Sequence, residues 1–183
     1  MLAPVARHAY DPSTMADELH LRDVRDDDRP TLLALNAASV AVLSPMNDAR
    51  LDQLLAASAM CRVVEQNRDV RAFVLAFREG ADYDSVNYRW FDARYPRFLY
   101  VDRVVVDTAC RGAGFGQRLY ADVFERARRD DVPRVTCEFD VEPPNPASER
   151  FHARQGFVEV GRQTLPGGKQ VSLQAADVAQ SLR

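Results

Sequence analysis

The sequence predicts one α/β domain over residues 18–183, an α+β mixed sheet of about seven strands flanked by about four helices. Three observations point there. Apolar residues repeat with period two in some segments and period 3.6 in others, and the two kinds alternate along the chain. A valine-rich strand pattern runs directly into a glycine-rich turn and then a long amphipathic helix. At 183 residues the chain is long enough for one full core, and no internal repeat or low-complexity tract divides it.

Residues 1–17, with Pro4 and Pro12 among scattered polar residues, read as an irregular N-terminal extension. Leu19–Val24 then alternates apolar and polar, as a half-buried strand does. Asp26, Asp27 or Asp28 caps a helix with Pro30 in its first turn. Leu32, Leu33, Leu35 and Val40 form its apolar face, and Pro45 breaks the pattern. Asn47 or Asp48 opens a second helix through Leu51, Leu54 and Leu55. A hairpin follows, Met60–Glu65 and Val70–Phe77 around a turn at 66–69.

Residues 79–96 mix loop formers (Gly80, Asp82, Asp84, Ser85, Asn87) with Tyr83, Tyr88, Trp90, Phe91 and Tyr95. The segment is either a binding loop or lid, or a loop pinned to the body by its aromatic rings. Phe98–Val106 is a strand ending in Val104-Val105-Val106, and the turn at 110–116 feeds a helix with Leu119, Tyr120, Val123, Phe124 and Ala127 on one face. Arg134–Phe139 is a further strand, and Ala147–Gln155 a short helix closed by Gly156. Phe157–Arg162 and Lys169–Leu173 form a last strand pair around Pro166-Gly167-Gly168.

Composition excludes several classes. A net charge of −3 gives no nucleic-acid or anionic-membrane footprint, and no apolar run is long enough to span a bilayer. Cys61, Cys110 and Cys137 are odd in number and far apart, and His8, His20 and His152 lack metal-ligand spacing, so neither disulfides nor a metal are expected. With no signal-peptide pattern, the expectation is a reduced, cytoplasmic protein. Arginine dominates the basic residues, and Lys169 is the sole lysine.

The glycine turn carries the functional signal. Gly112, Gly114 and Gly116 lie between a strand and a helix N-terminus, where free backbone N–H groups and the helix dipole suit a phosphate. Glycine permits close approach of the anion, and Arg111 adds a permanent positive charge. Two nucleotide patterns fail. Gln117 and Arg118 stand where a P-loop counted from Gly112 needs Gly and Lys, and Gln117 replaces the third glycine of a dinucleotide fingerprint.

Arg111-Gly112-Ala113-Gly114-Phe115-Gly116 instead resembles the [QR]-x-x-G-x-[GA] signature of the GNAT acyltransferases, which bind the acetyl-CoA pyrophosphate there. The segment from Asn145 to Phe157 resembles that superfamily's second motif, an Asn-initiated helix ending in Gly-Phe. The element order over 19–175 also follows the GNAT pattern. The resemblance implies that backbone groups of Val104 and Val106 bond the pantetheine arm and that amides from Gly112 to Gln117 bind the pyrophosphate. It also implies that Asn145 and Ser148 lie at the cofactor and that Phe151 packs beside it. It further implies an oxyanion donor on the strand at 104–106, freed where two parallel strands splay, and a domain that is a monomer or homodimer.

Acyl transfer to an amine requires a base, an oxyanion donor and protonation of the leaving thiolate. Many GNAT enzymes carry an acid tyrosine seven residues after the motif's Asn; here that position is His152. His152 is either the acid, as an imidazolium, or a helix residue that packs locally. Tyr100 and Asp102 on one strand face, or Glu138 with Asp140 beyond it, are the candidate bases. Asp102 could equally pair with Arg103 or Arg97, and Glu138 could be a solvated strand residue. The acidic, aromatic character of 82–102 suits a cationic acceptor. The expectation is a direct-transfer N-acetyltransferase acting on a small molecule or peptide amine; the alternative is an acyl-CoA-binding sensor or partner-binding module of the same fold.

Overall fold

The computed structural model describes residues 18–40 and 43–180; the extension expected over 1–17 lies outside the described residues. Chain order is β1 (Leu19–Asp23), α1 (Arg29–Ala37), α2 (Asp48–Ala57), β2 (Met60–Gln66), β3 (Asp69–Arg78), α3 (Val86–Asp92), β4 (Leu99–Val106), α4 (Phe115–Arg129), β5 (Arg134–Glu142), α5 (Pro146–Arg154), β6 (Val158–Thr164) and β7 (Gln170–Asp177). The strands form one sheet in the order β1-β2-β3-β4-β5-β7-β6. All neighbours are antiparallel except β4 and β5. The mixed sheet expected from the sequence is present, with five α-helices among the described residues rather than about four.

The additional helix is α3, inside the segment read as irregular. Ser85 caps it, its side chain accepting from the Tyr88 amide. Tyr88 and Phe91, one turn apart, are buried against Phe98 and Tyr100. Local loop formers set the helix start, and apolar burial supplies the rest. A second correction concerns α1, which ends at Ala37, so Val40 lies past its apolar face and is exposed.

Apolar side chains fill both faces of the sheet. On one, α4 buries Phe115, Leu119, Tyr120, Val123 and Phe124 against Val74, Leu99, Val135 and Cys137. On the other, Leu32, Leu51 and Leu54 from α1 and α2, with Tyr88 and Phe91 from α3, cover Phe73, Leu75, Phe77 and Tyr100. The hairpin turn at Asn67 and Arg68 places both residues at positive φ, the geometry that matches strand twist.

Two irregularities shape the site. Leu75 pairs with Arg103 and Ala76 with Val101, which leaves Asp102 as an extra residue, a β-bulge in β4. Leu99, Val101, Val104 and Val106 therefore pack on the α4 side, whereas Phe98, Tyr100, Arg103 and Val105 face the side of α1 to α3. Secondly, β4 and β5 pair only at Leu99–Val135 and Tyr100–Thr136. Beyond that point the two parallel strands part.

Candidate active site

A cavity of about 560 Å³ lies where β4 and β5 separate, open toward both faces of the sheet. Its floor includes β4 from Val101 to Val106 and β5 from Cys137 to Asp140. Strand backbone groups that have lost a ladder partner must find another acceptor or donor, so this edge is a ready site for an extended polar chain.

On the α4 side the cavity reaches the glycine turn. Gly112 and Gly114 have φ of +84° and +83°, a backbone region that side chains disfavour. Gly114 is the N-cap of α4, so the first-turn amides at Phe115, Gly116 and Gln117 have no acceptor within the helix. The turn is braced from behind. Asp107 accepts from the Ala109 amide and pairs with Arg71 at 3.1 Å, while the Ala113 amide donates to the Cys110 carbonyl. Arg111 lines the cavity beside these amides. A Cβ on Gly116 would sit 3.4 Å from the Phe151 ring and 4.0 Å from Val106, so glycine lets α4, α5 and β4 converge. A phosphate-bearing chain fits this arrangement: amides and a guanidinium for its anionic end, and an unpaired strand edge for its amide arm.

Asn145 caps α5, its Oδ1 accepting from the Ser148 amide at 3.2 Å. Ser148 Oγ lies 3.1 Å from His152 Nδ1, and the Ser148 carbonyl lies 2.8 Å from the same nitrogen. A carbonyl only accepts, so Nδ1 carries the proton and Nε2 is an acceptor. Facing Nε2 at 2.7 Å is the Tyr120 hydroxyl, which donates to it. His152 is buried among Tyr120, Phe139, Phe151 and Phe157, and that burial lowers its pKa. Burial raises that of Tyr120. The pair is held neutral on both sides.

The opposite side of the cavity is built of carboxylates. Glu138, on β5 just past the separation point, accepts from Tyr100 at 2.8 Å and from Asn87 of α3 at 2.9 Å. Burial, and then the charge of Asp102, push its pKa up to about 8. The Asn87 amide is oriented in turn by Gln163 of β6, which donates to its Oδ1 at 3.0 Å and leaves its NH2 for Glu138. Asp102 is fully engaged: Tyr83 donates to one oxygen and Arg103 to the other, the latter at 2.6 Å. Arg103 also reaches Asn36 of α1 at 2.7 Å. Asp140 is buried and paired with Lys169 at 2.8 Å.

Of the candidate bases, Glu138 and Tyr100 thus share one hydrogen-bonded group, whereas Asp102 forms the Arg103 pair that its neighbours in sequence suggested. Asn87, Gln163 and Tyr120 were not among the residues singled out from sequence. Tyr120 reads there as one member of an apolar helix face, and nothing in spacing couples Gln163 to a residue 76 positions earlier. In segment 79–96 rings pin α3 to the body, and Ser85, Val86 and Asn87 line the cavity. Its docking also depends on Gly161 of β6, where a Cβ would meet Trp90 at 2.6 Å.

The Acetyltransferase (GNAT) family model matches residues 21–157. No curated protein is significantly similar in sequence. Solved structures share the fold at low identity. yncA from Salmonella typhimurium, determined with its cofactor acetyl-CoA, is 18% identical with a TM-score of 0.67, over 90% of this chain and 96% of that one. A ribosomal-protein-alanine N-acetyltransferase from Brucella melitensis is 21% identical with a TM-score of 0.66, over 86% and 99%. An N-acetyltransferase from Staphylococcus aureus is 18% identical with a TM-score of 0.68, over 88% and 99%.

Proposed function

The chain belongs to the GNAT acetyltransferase family, and from that premise we propose that it moves an acetyl group from acetyl-CoA to a primary amine of a small molecule or peptide, by direct attack in a ternary complex. One observation carries the reading: the parted β4–β5 edge opens between an anion-suited helix N-terminus and a carboxylate whose pKa is raised to about 8.

The first-turn amides of α4 and Arg111 hold the pyrophosphate, and the β4 edge at Val104 and Val106 aligns the pantetheine arm. Phe151 and Asn145 border that arm. Glu138 receives the ammonium of the acceptor and takes one proton from it. A base poised near the working pH is effective because its conjugate acid forms without a large penalty. The freed amine attacks the thioester carbonyl, and a backbone N–H of β4 beyond the bulge donates to the oxyanion. The C–S bond then breaks, and the surplus proton on the new amide nitrogen neutralises the departing thiolate. His152 contributes by holding Tyr120 and Phe151 in place. Its Nε2 accepts a proton bond in the resting site, and burial disfavours the imidazolium that an acid role needs.

Mixing the protein, acetyl-CoA and a panel of amines, aminoglycosides, amino acids and N-terminal peptides tests this. Free thiol should appear with at least one amine, and the rate should climb with pH through about 8 as Glu138 ionises. Silence across the panel from a protein that still binds CoA would replace this reading with an acyl-CoA-binding module.

A further inference from the structure

Charges on the acceptor side of the cavity are matched one to one, except at Glu138. Asp102 holds Arg103 at 2.6 Å, and Asp140 holds Lys169 at 2.8 Å. Arg50, the remaining cation on this side, is paired with Asp84. Glu138 accepts from two neutral donors, Tyr100 and Asn87, and no ion pair engages it among the described residues. The wall therefore has one seat for a positive charge and none for a negative one.

Between these pairs the wall is mostly apolar. Val86 is next in sequence to Asn87, whose amide holds Glu138 at 2.9 Å. Val171 lies two positions along β7 from Leu173, the register partner of Glu138. Leu165 borders the cavity from the β6–β7 turn, and Leu43 and Pro45 from the α1–α2 connection. That connection is fastened to the strand: Asn36 donates to the Ser44 carbonyl at 3.1 Å and accepts from Arg103 at 2.7 Å. Ser85 is occupied as the α3 cap, and Asn87 is bonded at both ends of its amide. A second ammonium would have to displace Arg103 or Lys169, or lie unpaired against aliphatic side chains. A carboxylate would have to break one of the same pairs. Either costs desolvation that no partner offsets.

We propose that the acceptor is an apolar monoamine: a single ammonium that meets Glu138, carried on an alkyl or aryl body that lies against Leu43, Pro45, Val86, Leu165 and Val171. This rests on the acetyltransferase reading above and narrows its acceptor. Polyamines, aminoglycosides and free amino acids are then poor substrates, because each brings a charge that the wall leaves without a partner.

Two matched pairs of amines separate the charge from the body. Hexylamine and hexamethylenediamine differ by one ammonium; phenethylamine and phenylalanine differ by one carboxylate. With the full-length protein and saturating acetyl-CoA, kcat/KM from thiol release should fall at least about tenfold when either charge is added. Val86→Asp, at an exposed position in the first turn of α3, supplies a second carboxylate. It should narrow the gap between hexylamine and hexamethylenediamine by about threefold, the scale of one exposed ion pair. The proposal is overturned if the diamine or the amino acid is turned over as fast as its partner, or if the gap is unchanged in the variant. Faster turnover of a tripeptide amide with N-terminal phenylalanine than of phenethylamine would overturn it in favour of a peptide acceptor. In each of these cases acetyl transfer has been seen, so the acetyltransferase reading stands. No thiol release with any amine, from a protein that still binds CoA, would sink both together.

Discussion

The two sides of the cleft are made of different materials. The side that suits CoA is almost entirely backbone: helix amides, a strand edge and glycines that clear space for them. The acceptor side is almost entirely side chain, a set of carboxylates tied to tyrosines, amides and guanidinium groups from distant elements. Backbone donors are removed by substitution only where proline enters; otherwise they fail when a wrong residue blocks or distorts them. A side-chain network can be retuned one group at a time.

That contrast can be broken at both ends. The largest expected loss is from Glu138→Gln, which removes the base and should lower kcat by about 10²–10⁴. The same change sets up a stability test. A carboxyl with its folded pKa raised to about 8 stabilises the fold fully only below its unfolded value, and that stabilisation is lost as pH rises toward 8. The Gln variant does not titrate, so its melting temperature relative to wild type should climb between pH 5 and 9. A constant difference would show that Glu138 is not a strained carboxylate. On the backbone side, Gly114→Asp forces a side chain into left-handed backbone and puts an anion at the pyrophosphate site. Stabilisation by CoA, about 2.7 kcal/mol at a hundredfold excess over Kd, should vanish; if melting still responds to CoA, the loop is not the site.

Smaller changes sharpen the comparison. Gly161→Ala presses a methyl group onto Trp90 and should cost about 1–3 kcal/mol of stability by overpacking. It should raise KM for the amine more than KM for acetyl-CoA, because α3 carries Asn87; equal effects on both would argue against an acceptor-side role. Gln163→Leu frees Asn87 to turn its oxygen toward Glu138. The midpoint of the pH–rate profile should then move upward by about one to two units, the scale of one hydrogen bond to a charged group. The mildest is His152→Gln, with a kcat loss under about tenfold; a fall of about 10²–10⁴ would restore His152 as the acid.

Much of the fold and the glycine turn between β4 and α4 was legible in the sequence, for a local reason. Phosphate binding at Arg111–Gly116 needs glycines, a helix start and a strand end within a few residues, and these are contiguous in the chain. The acceptor side resists such reading because Asn87, Glu138 and Gln163 meet only through tertiary packing. α3 was missed because Gly80, Asp82 and Asp84 do favour irregular backbone, while the burial of Tyr88 and Phe91 that outweighs them depends on strands elsewhere. His152 could be found by its place in a motif, but its tautomer is set by the Ser148 carbonyl and its partner by a turn of α4, neither of which spacing reveals.

The extra residue at Asp102 acts as a phase slip in β4. Counting by twos from Leu99 and Val101 assigns every later residue to the wrong face, and no substitution can undo that, because only a deletion restores the count. Val104 and Val106 owe their orientation toward α4 to that extra residue. Asp102 itself is tied to Tyr83 and Arg103, whereas loss of a single residue there would turn the Val104–Val106 edge over.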